Sequence, residues 1–492
     1  MLNTSGGEFL QLLAIATLAL YVAANLGAND VANSMGTSVG SKALTLRQAI
    51  IVAGILEFAG AALFGQGVSQ TLATGVVNAE AFAAQPQVFL IGMVSVLAAC
   101  GVWLQIATSR GLPVSSSHAV VGAIAGFSSV AAGIGAVDWQ TIGTISLTWL
   151  ATPVASGALA ALFYSLVKYS ILDRPDPLDR MREWIPWLSA AMLSIFGIIV
   201  LPSIVDVAFV QTGILAQLHY RFGWNVPVHD VAISIGGIGA IVLTQTSWQK
   251  LASAGEEERG RGGEEGENGR RGKKEKEILK NSPNLPIPPS PPLPISQSLP
   301  LPLSQSPPLP IPPSPNLPLS PSLIEEQMAR FQVISACFVA FAHGSNDVGN
   351  AVAPLAAIVY IHRTGSFPLN DFSVPLWILV LGGVGIVVGL AIWGKNVIAT
   401  VGEGIIQLQP SGGFCAELAT AATVLLASRL GLPVSTSHAL VGAVVGVGLV
   451  KGWQSVRWNT LLSIGSAWLV TIPIAAGLAA VIFSITQWID RI

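Results

Sequence analysis

Gly27 to Ser34 reads G-A-N-D-V-A-N-S, and Gly344 to Ala351 reads G-S-N-D-V-G-N-A. Further along, Ser109 to Ala123 reads S-R-G-L-P-V-S-S-S-H-A-V-V-G-A, and Arg429 to Ala443 reads R-L-G-L-P-V-S-T-S-H-A-L-V-G-A. The two pairs follow the same order at nearly equal spacing, Asp30 preceding Ser115 by 85 residues and Asp347 preceding Ser435 by 88. Two unlike motifs repeated in register mark an internal duplication, so the chain is expected to fold as two copies of one unit.

Outside these motifs the chain is apolar. Of its 492 residues 52% are hydrophobic and 10% charged, with a mean hydropathy of +0.64; a soluble domain carries about 25% charged residues. Apolar runs of about 20 residues, enough to cross a bilayer, recur along most of the length. Candidate membrane helices fall near 8–27, 47–66, 88–108, 114–132, 140–167, 186–209 and 230–248, then 329–342 running on to 361, 373–394, 412–428, 434–451 and 457–487. The expected fold class is an all-α polytopic membrane protein of about twelve transmembrane helices, which excludes a soluble enzyme. The net charge of −2 and the lack of a basic stripe argue against nucleic acid as a partner. Cys100, Cys337 and Cys415 lie in apolar runs without metal-site spacing and read as packing residues. No basic region or small-residue cleavage site precedes the first run, which begins near Phe9, so that helix is expected to be retained.

Three parts follow. Residues 1–249 form a first membrane half, with one repeat at about 8–167 and two further helices. Residues 250–328 form a linker, and residues 329–492 carry the second repeat. Gly255 to Lys280 holds eight Glu and eight Lys or Arg, and Pro283 to Pro321 holds 17 of the 31 prolines. Proline removes backbone donors and fixes φ, so this segment is expected to be a solvated connector. Alternate loops of the first half carry Lys42, Arg47, Arg110, Lys168, Arg174, Arg180 and Arg182 on one side against Arg221 on the other. The basic side is expected to be cytoplasmic, placing the N-terminus outside and the linker inside. The second half then enters the membrane in the opposite sense, giving an inverted-topology repeat with re-entrant or broken helices, an architecture of secondary transporters.

Each N-D-V-x-N island sets a carboxylate and two amides into an apolar run, where unpartnered polar groups are costly. Asn29, Asp30 and Asn33, with Asn346, Asp347 and Asn350, offer oxygens for a small hard cation, joined by backbone carbonyls if the helix unwinds at Gly27. The alternative is a pair of clusters that hold helices together. In the second motif, Pro113 or Pro433 disfavours helix just before it, and the hydroxyls that follow are good N-caps for a helix starting inside the membrane. The N-H groups of that helix, with Ser115, Ser116 and Ser117 or Ser435, Thr436 and Ser437, form a site for a tetrahedral oxyanion, the alternative being simple capping. His118 and His438 read as donors that fix local geometry. Glu57 and Glu417 are not duplicated, their counterparts being Ile386 and Leu97, and they read either as functional acids or as paired structural ones.

With these motifs in place, the chain resembles the inorganic phosphate transporter (PiT) family over both membrane halves, the linker excepted. The resemblance implies no enzyme and no cofactor, but a carrier of inorganic phosphate driven by a sodium or proton gradient through alternating access. It also implies a cell-membrane location and commonly a homodimer. Asp30 and Asp347 would serve both phosphate and the coupled cation, with Asn29 and Asn346 beside them. Ser115 to Ser117 and Ser435 to Ser437 would contact phosphate, and Glu57 and Glu417 would be functionally sensitive. A sulfate permease is the alternative. Sulfate at neutral pH has no proton to donate to Asp30 or Asp347, whereas phosphate has one.

Overall fold

The computed structural model describes residues 6–112, 114–205, 213, 217, 220, 221, 227–253, 320–368, 372–401, 406 and 408–489. Most of the linker, Pro113 and residues 206–209 of the sixth expected helix lie outside the described residues. The helices of sixteen residues or more, numbered in chain order, are α1 (Gly6–Gly40), α2 (Leu46–Phe64), α3 (Pro86–Ser109), α4 (Ser116–Ala132), α5 (Trp139–Val167) and α6 (Pro177–Ile199). They continue as α7 (Val228–Ser253), α8 (Ser320–Thr364), α9 (Leu376–Val401), α10 (Pro410–Arg429), α11 (Thr436–Lys451) and α12 (Trp458–Ile489). Eight of these, α1, α2, α3, α5, α7, α9, α10 and α12, are long and apolar enough to cross a membrane, while α4 and α11 are shorter apolar helices. The chain is an all-α polytopic membrane protein.

Helix starts follow local chemistry. Thr45 and Gln48 close a capping box at α2, and the Asp138 carboxylate accepts from the backbone N-H groups of Gln140 and Thr141 at α5. Pro86, Pro177 and Pro410 open α3, α6 and α10, where a missing N-H costs nothing. Gly111 and Gly431 both adopt positive φ, 64° and 67°. Leu112 N-H donates to the Ala107 carbonyl and Leu432 N-H to that of Ala427, so α3 and α10 each end in a Schellman turn.

Two expectations are corrected. The first helix does not stop near 27, and neither N-D-V-x-N island breaks its helix: α1 and α8 are continuous through them. The polar side chains find partners on neighbouring elements, which leaves the backbone ladder intact. Gly27 is needed instead for close approach, since a Cβ there would collide with the Ile386 carbonyl, as one at Gly344 would with the Glu57 carbonyl. The eighth helix begins at Ser320 rather than near 329, because Glu325, Glu326 and Arg330 lower the hydropathy of a stretch that still buries Leu323, Ile324 and Met328.

Packing exchanges partners between the halves. α1 packs on α9 and α2 on α8; α4 packs on α12 and α5 on α11. Gly122 and Gly126 admit the α12 backbone at Ile472 and Ala476, and Gly442 and Gly446 admit the α5 backbone at Pro153 and Gly157. The largest apolar core draws on α1, α2, α3, α4, α8, α9 and α12, so it belongs to neither half alone. α3 with α4 and α10 with α11 form two hairpins. The first opens beside the segment after α2, where Val77 bridges Val137 and Asn78 N-H donates to the Ala136 carbonyl. The second opens at the other end of the bundle, where Glu325 near the start of α8 accepts from Ser411 N-H and Oγ (2.8 and 2.7 Å). The tips of both hairpins meet the N-D-V-x-N islands.

Candidate functional site

α1 and α8 bring Asp30 and Asp347 together. One ligand atom from each, with one ring nitrogen of His343, lie within 4.8 Å of one another, and all three residues are buried. His343 stands one turn before Asp347 on α8. Its Nε2 lies 2.9 Å from Asp347 Oδ2 and its Nδ1 lies 3.1 Å from Glu57 Oε1. Ser34 Oγ donates to the same Glu57 oxygen (2.8 Å).

The amides tie this cluster to the hairpins. Asn29 Nδ2 donates to Thr108 Oγ1 (3.1 Å) and to the Leu112 carbonyl (3.3 Å). Asn346 Nδ2 makes the equivalent bonds to Ser428 Oγ and the Leu432 carbonyl, both 3.1 Å. Asn33 Nδ2 donates to Asp30 Oδ1 (3.1 Å), and Asn350 Nδ2 crosses to Ser116 Oγ (3.1 Å). Among the described residues, Asn29 Oδ1, Asp30 Oδ2, Asp347 Oδ1 and Asn350 Oδ1 are buried oxygens that accept no hydrogen bond. Burying acceptors without donors is costly, and a small hard cation satisfies such a set because it prefers oxygen ligands.

The hydroxyl islands divide into separate tasks. Ser115 and Ser435 are the N-caps of α4 and α11, accepting from the N-H groups of His118 (3.4 Å) and His438 (3.3 Å). Ser116 and Thr436 occupy the first helical positions and face the acids: Thr436 Oγ1 donates to Asp347 Oδ2 (2.9 Å), and Ser116 meets Asn350. Ser117 Oγ donates to the Val434 carbonyl of the other island (2.8 Å), and Ser437 pairs with Ser435 at 2.9 Å. Two helix N-termini and two hydroxyls therefore converge on the acid and amide cluster, an arrangement suited to an oxyanion held beside cations.

Glu417, on α10, stands apart from this cluster and meets α1 one turn beyond Asn33. Its Oε1 accepts from Thr37 Oγ1 and Ser38 Oγ, both at 2.6 Å, and from Gln332 Nε2 at 3.1 Å, and its Oε2 accepts from Ser335 Oγ at 2.7 Å. Reading the sequence missed His343 and this set of donors. The usable signal was a histidine four residues before Asp347 inside an apolar helix. Comparing the halves hid it, since its counterpart is Leu26.

A polytopic bundle with paired acids and amides buried between its halves defines a membrane carrier. Residues 26–479 match the model of the phosphate transporter family. The chain is 37% identical over 474 residues to the chloroplastic inorganic phosphate transporter 2-1 of Arabidopsis thaliana, covering 96% of this chain and 72% of that one. It is also similar to the solved structure of a sodium-dependent phosphate transporter, with TM-score 0.71 and 31% identity over 97% of this chain and 99% of the other. This chain belongs to the phosphate transporter family; it is a membrane transporter of inorganic phosphate and not an enzyme.

Proposed function

We propose that the chain is a sodium-driven phosphate symporter that works by alternating access. What carries this reading is one buried cluster in which Asp30, Asp347 and their amides meet Ser116 and Thr436. Sodium ions would sit among the unpartnered oxygens of Asn29, Asp30, Asp347 and Asn350, and phosphate between the starts of α4 and α11. The ion offsets the repulsion between carboxylate and oxyanion, so each ligand raises the affinity of the other. Similarity to a solved sodium-dependent phosphate transporter supports sodium over protons. Carboxylates beside the oxyanion site favour phosphate over sulfate, because they accept the proton that phosphate still carries at neutral pH.

The two hairpins that open at opposite ends of the bundle support an inverted repeat, each hairpin entering the membrane from its own side and turning back at the site. In this reading the open end of the first hairpin and the N-terminus face outward. Lys42, the linker and the open end of the second hairpin face the cytoplasm across the cell membrane.

Uptake of radiolabelled phosphate into proteoliposomes, under sodium and proton gradients imposed separately, tests the reading. Uptake is expected to follow the sodium gradient and to disappear in Asp30→Asn and Asp347→Asn at normal membrane abundance. Normal uptake by both variants with unchanged sodium dependence would leave these acids as helix-pairing groups.

A further inference from the structure

Next to the two hydroxyl turns lie four aromatic rings related by the same exchange of halves. The His118 ring lies against Trp149 with centroids 3.9 Å apart, the His438 ring lies against Trp468 at 3.6 Å, and the two imidazoles meet edge to face at 4.7 Å. The hydrogen bonds run crosswise. His118 Nδ1 is 3.3 Å from the Trp468 carbonyl and His438 Nδ1 is 3.2 Å from the Trp149 carbonyl. A carbonyl only accepts, so Nδ1 carries the proton in both rings.

In a regular helix those two carbonyls would be engaged by the backbone. In α5 the residue four places after Trp149 is Pro153, which has no N-H, so the Trp149 carbonyl is free for His438. In α12 the proline stands one place later, at Pro473, so Ile472 keeps the N-H that faces the Trp468 carbonyl and His118 is a second donor there. Two further bonds tie the second island to the first half: Trp149 Nε1 donates to the Pro433 carbonyl (3.1 Å), and Ser117 Oγ donates to that of Val434.

We propose that His118 and His438 are positioning residues for phosphate: each braces its hydroxyl turn against the long helix of the opposite half, and together they hold Ser116 and Thr436 at a fixed separation. The proposal rests on the reading of those hydroxyls as phosphate donors. His118 and His438 follow Ser116 and Thr436 by two residues on the first turn of α4 and α11. A shift of either imidazole therefore moves the donor and the N-H groups beside it. Losing a few tenths of an ångström in such a site weakens oxyanion binding, because hydrogen bonds to charge are steep in distance. Asn29 and Asn346 hold their places through Thr108, Ser428 and the Schellman turns, Asp30 is bonded by Asn33, and Asp347 lies against His343 as well as Thr436. The histidines reach the sodium oxygens only at second hand, through the Ser116–Asn350 and Thr436–Asp347 bonds, so sodium binding without phosphate depends on them less than phosphate binding does.

The test uses the full chain in proteoliposomes, with initial rates of radiolabelled phosphate uptake and sodium binding measured without phosphate. His118→Ala with His438→Ala is expected to raise the phosphate KM tenfold or more, with Vmax and phosphate-free sodium affinity within threefold. An asparagine amide places an N-H close to the position of Nδ1, so His118→Asn with His438→Asn is expected to restore KM to within threefold of the unaltered protein. The brace is overturned by a KM within twofold in the alanine pair. It is also overturned if sodium and phosphate affinity fall together, or if a folded asparagine pair has the KM of the alanine pair. Should the alanine pair fail to reach the membrane, the asparagine pair and the single variants decide by the same criteria. If the unaltered protein takes up no phosphate, the parent reading fails instead.

Discussion

Where α2 crosses α8, Glu57 lies against Gly344 and its carboxylate reaches His343; where α9 crosses α1, Ile386 lies against Gly27 and the residue in place of His343 is Leu26. The two crossings share a backbone arrangement and differ in chemistry. The same holds one turn away. Glu417 is held by Thr37, Ser38, Gln332 and Ser335, whereas the corresponding positions of the other half are Leu97, Pro354, Leu355, Ile15 and Leu18. Close approach of small residues is duplicated because it builds the bundle. Charge is not, so one side of the pseudo-symmetric molecule carries a polar trail from the shared acids toward the start of α8, and the other side is sealed with hydrocarbon.

Copying the apolar crossing onto the polar one breaks this comparison most severely. Glu57→Ile with His343→Leu removes both members of a buried pair, a change that hydrophobic residues of similar size tolerate well. The double variant is expected to reach the membrane at normal abundance, with sodium-driven phosphate uptake reduced at least about a hundredfold, equivalent to about 2.7 kcal/mol. Either single change strands a buried partner and should cost about 3–5 kcal/mol of stability. Retained uptake in the double variant would make the pair a packing feature.

The duplicated part of the comparison is sharpened by Gly27→Ala and Gly344→Ala. Each added methyl meets a backbone carbonyl of the opposing helix, and overpacking of this kind costs about 1–3 kcal/mol. The two variants should lose similar amounts in detergent thermal unfolding. A large loss at one and none at the other would show that the crossings differ in backbone as well as in chemistry.

Much of the bundle could be read from the sequence because hydropathy and self-comparison both report on packing. The repeat, the helix positions and the paired acids came from it directly. The end of the first helix near Gly27 did not hold, and the unwinding left open there does not occur, because a glycine that admits a neighbouring backbone and one that ends a helix look alike until the neighbour is placed. The start of α8 was missed because Glu325 and Glu326 are polar residues on a helix that still buries Ile324 and Met328. His343 and the donors around Glu417 were missed for the opposite reason: they mark where the halves disagree, and a search for agreement passes over them.

The smallest effect expected is at the second acid. Glu417→Leu copies Leu97 and strands four donors. Three are hydroxyls that can turn to helix carbonyls, as Ser335 already does toward that of Gln332. A net loss of about 2 kcal/mol in thermal unfolding is therefore expected, most of it from the Gln332 amide. A neutral result would mean that the donors satisfy one another without the carboxylate.

The exchange of partners between halves also sets the order in which the chain is completed during synthesis. α4 is a helix of 17 residues whose principal neighbour is α12, and α5 pairs with α11 in the same way. α4 is therefore made more than 300 residues before the helix that covers it, with the whole linker emerging in between. Contacts so distant in sequence form late. The first hairpin must wait in a provisional arrangement until the last helix arrives, and a ribosome that stalls inside the second half leaves its glycine face, Gly122 and Gly126, uncovered for the quality-control machinery of the membrane to find.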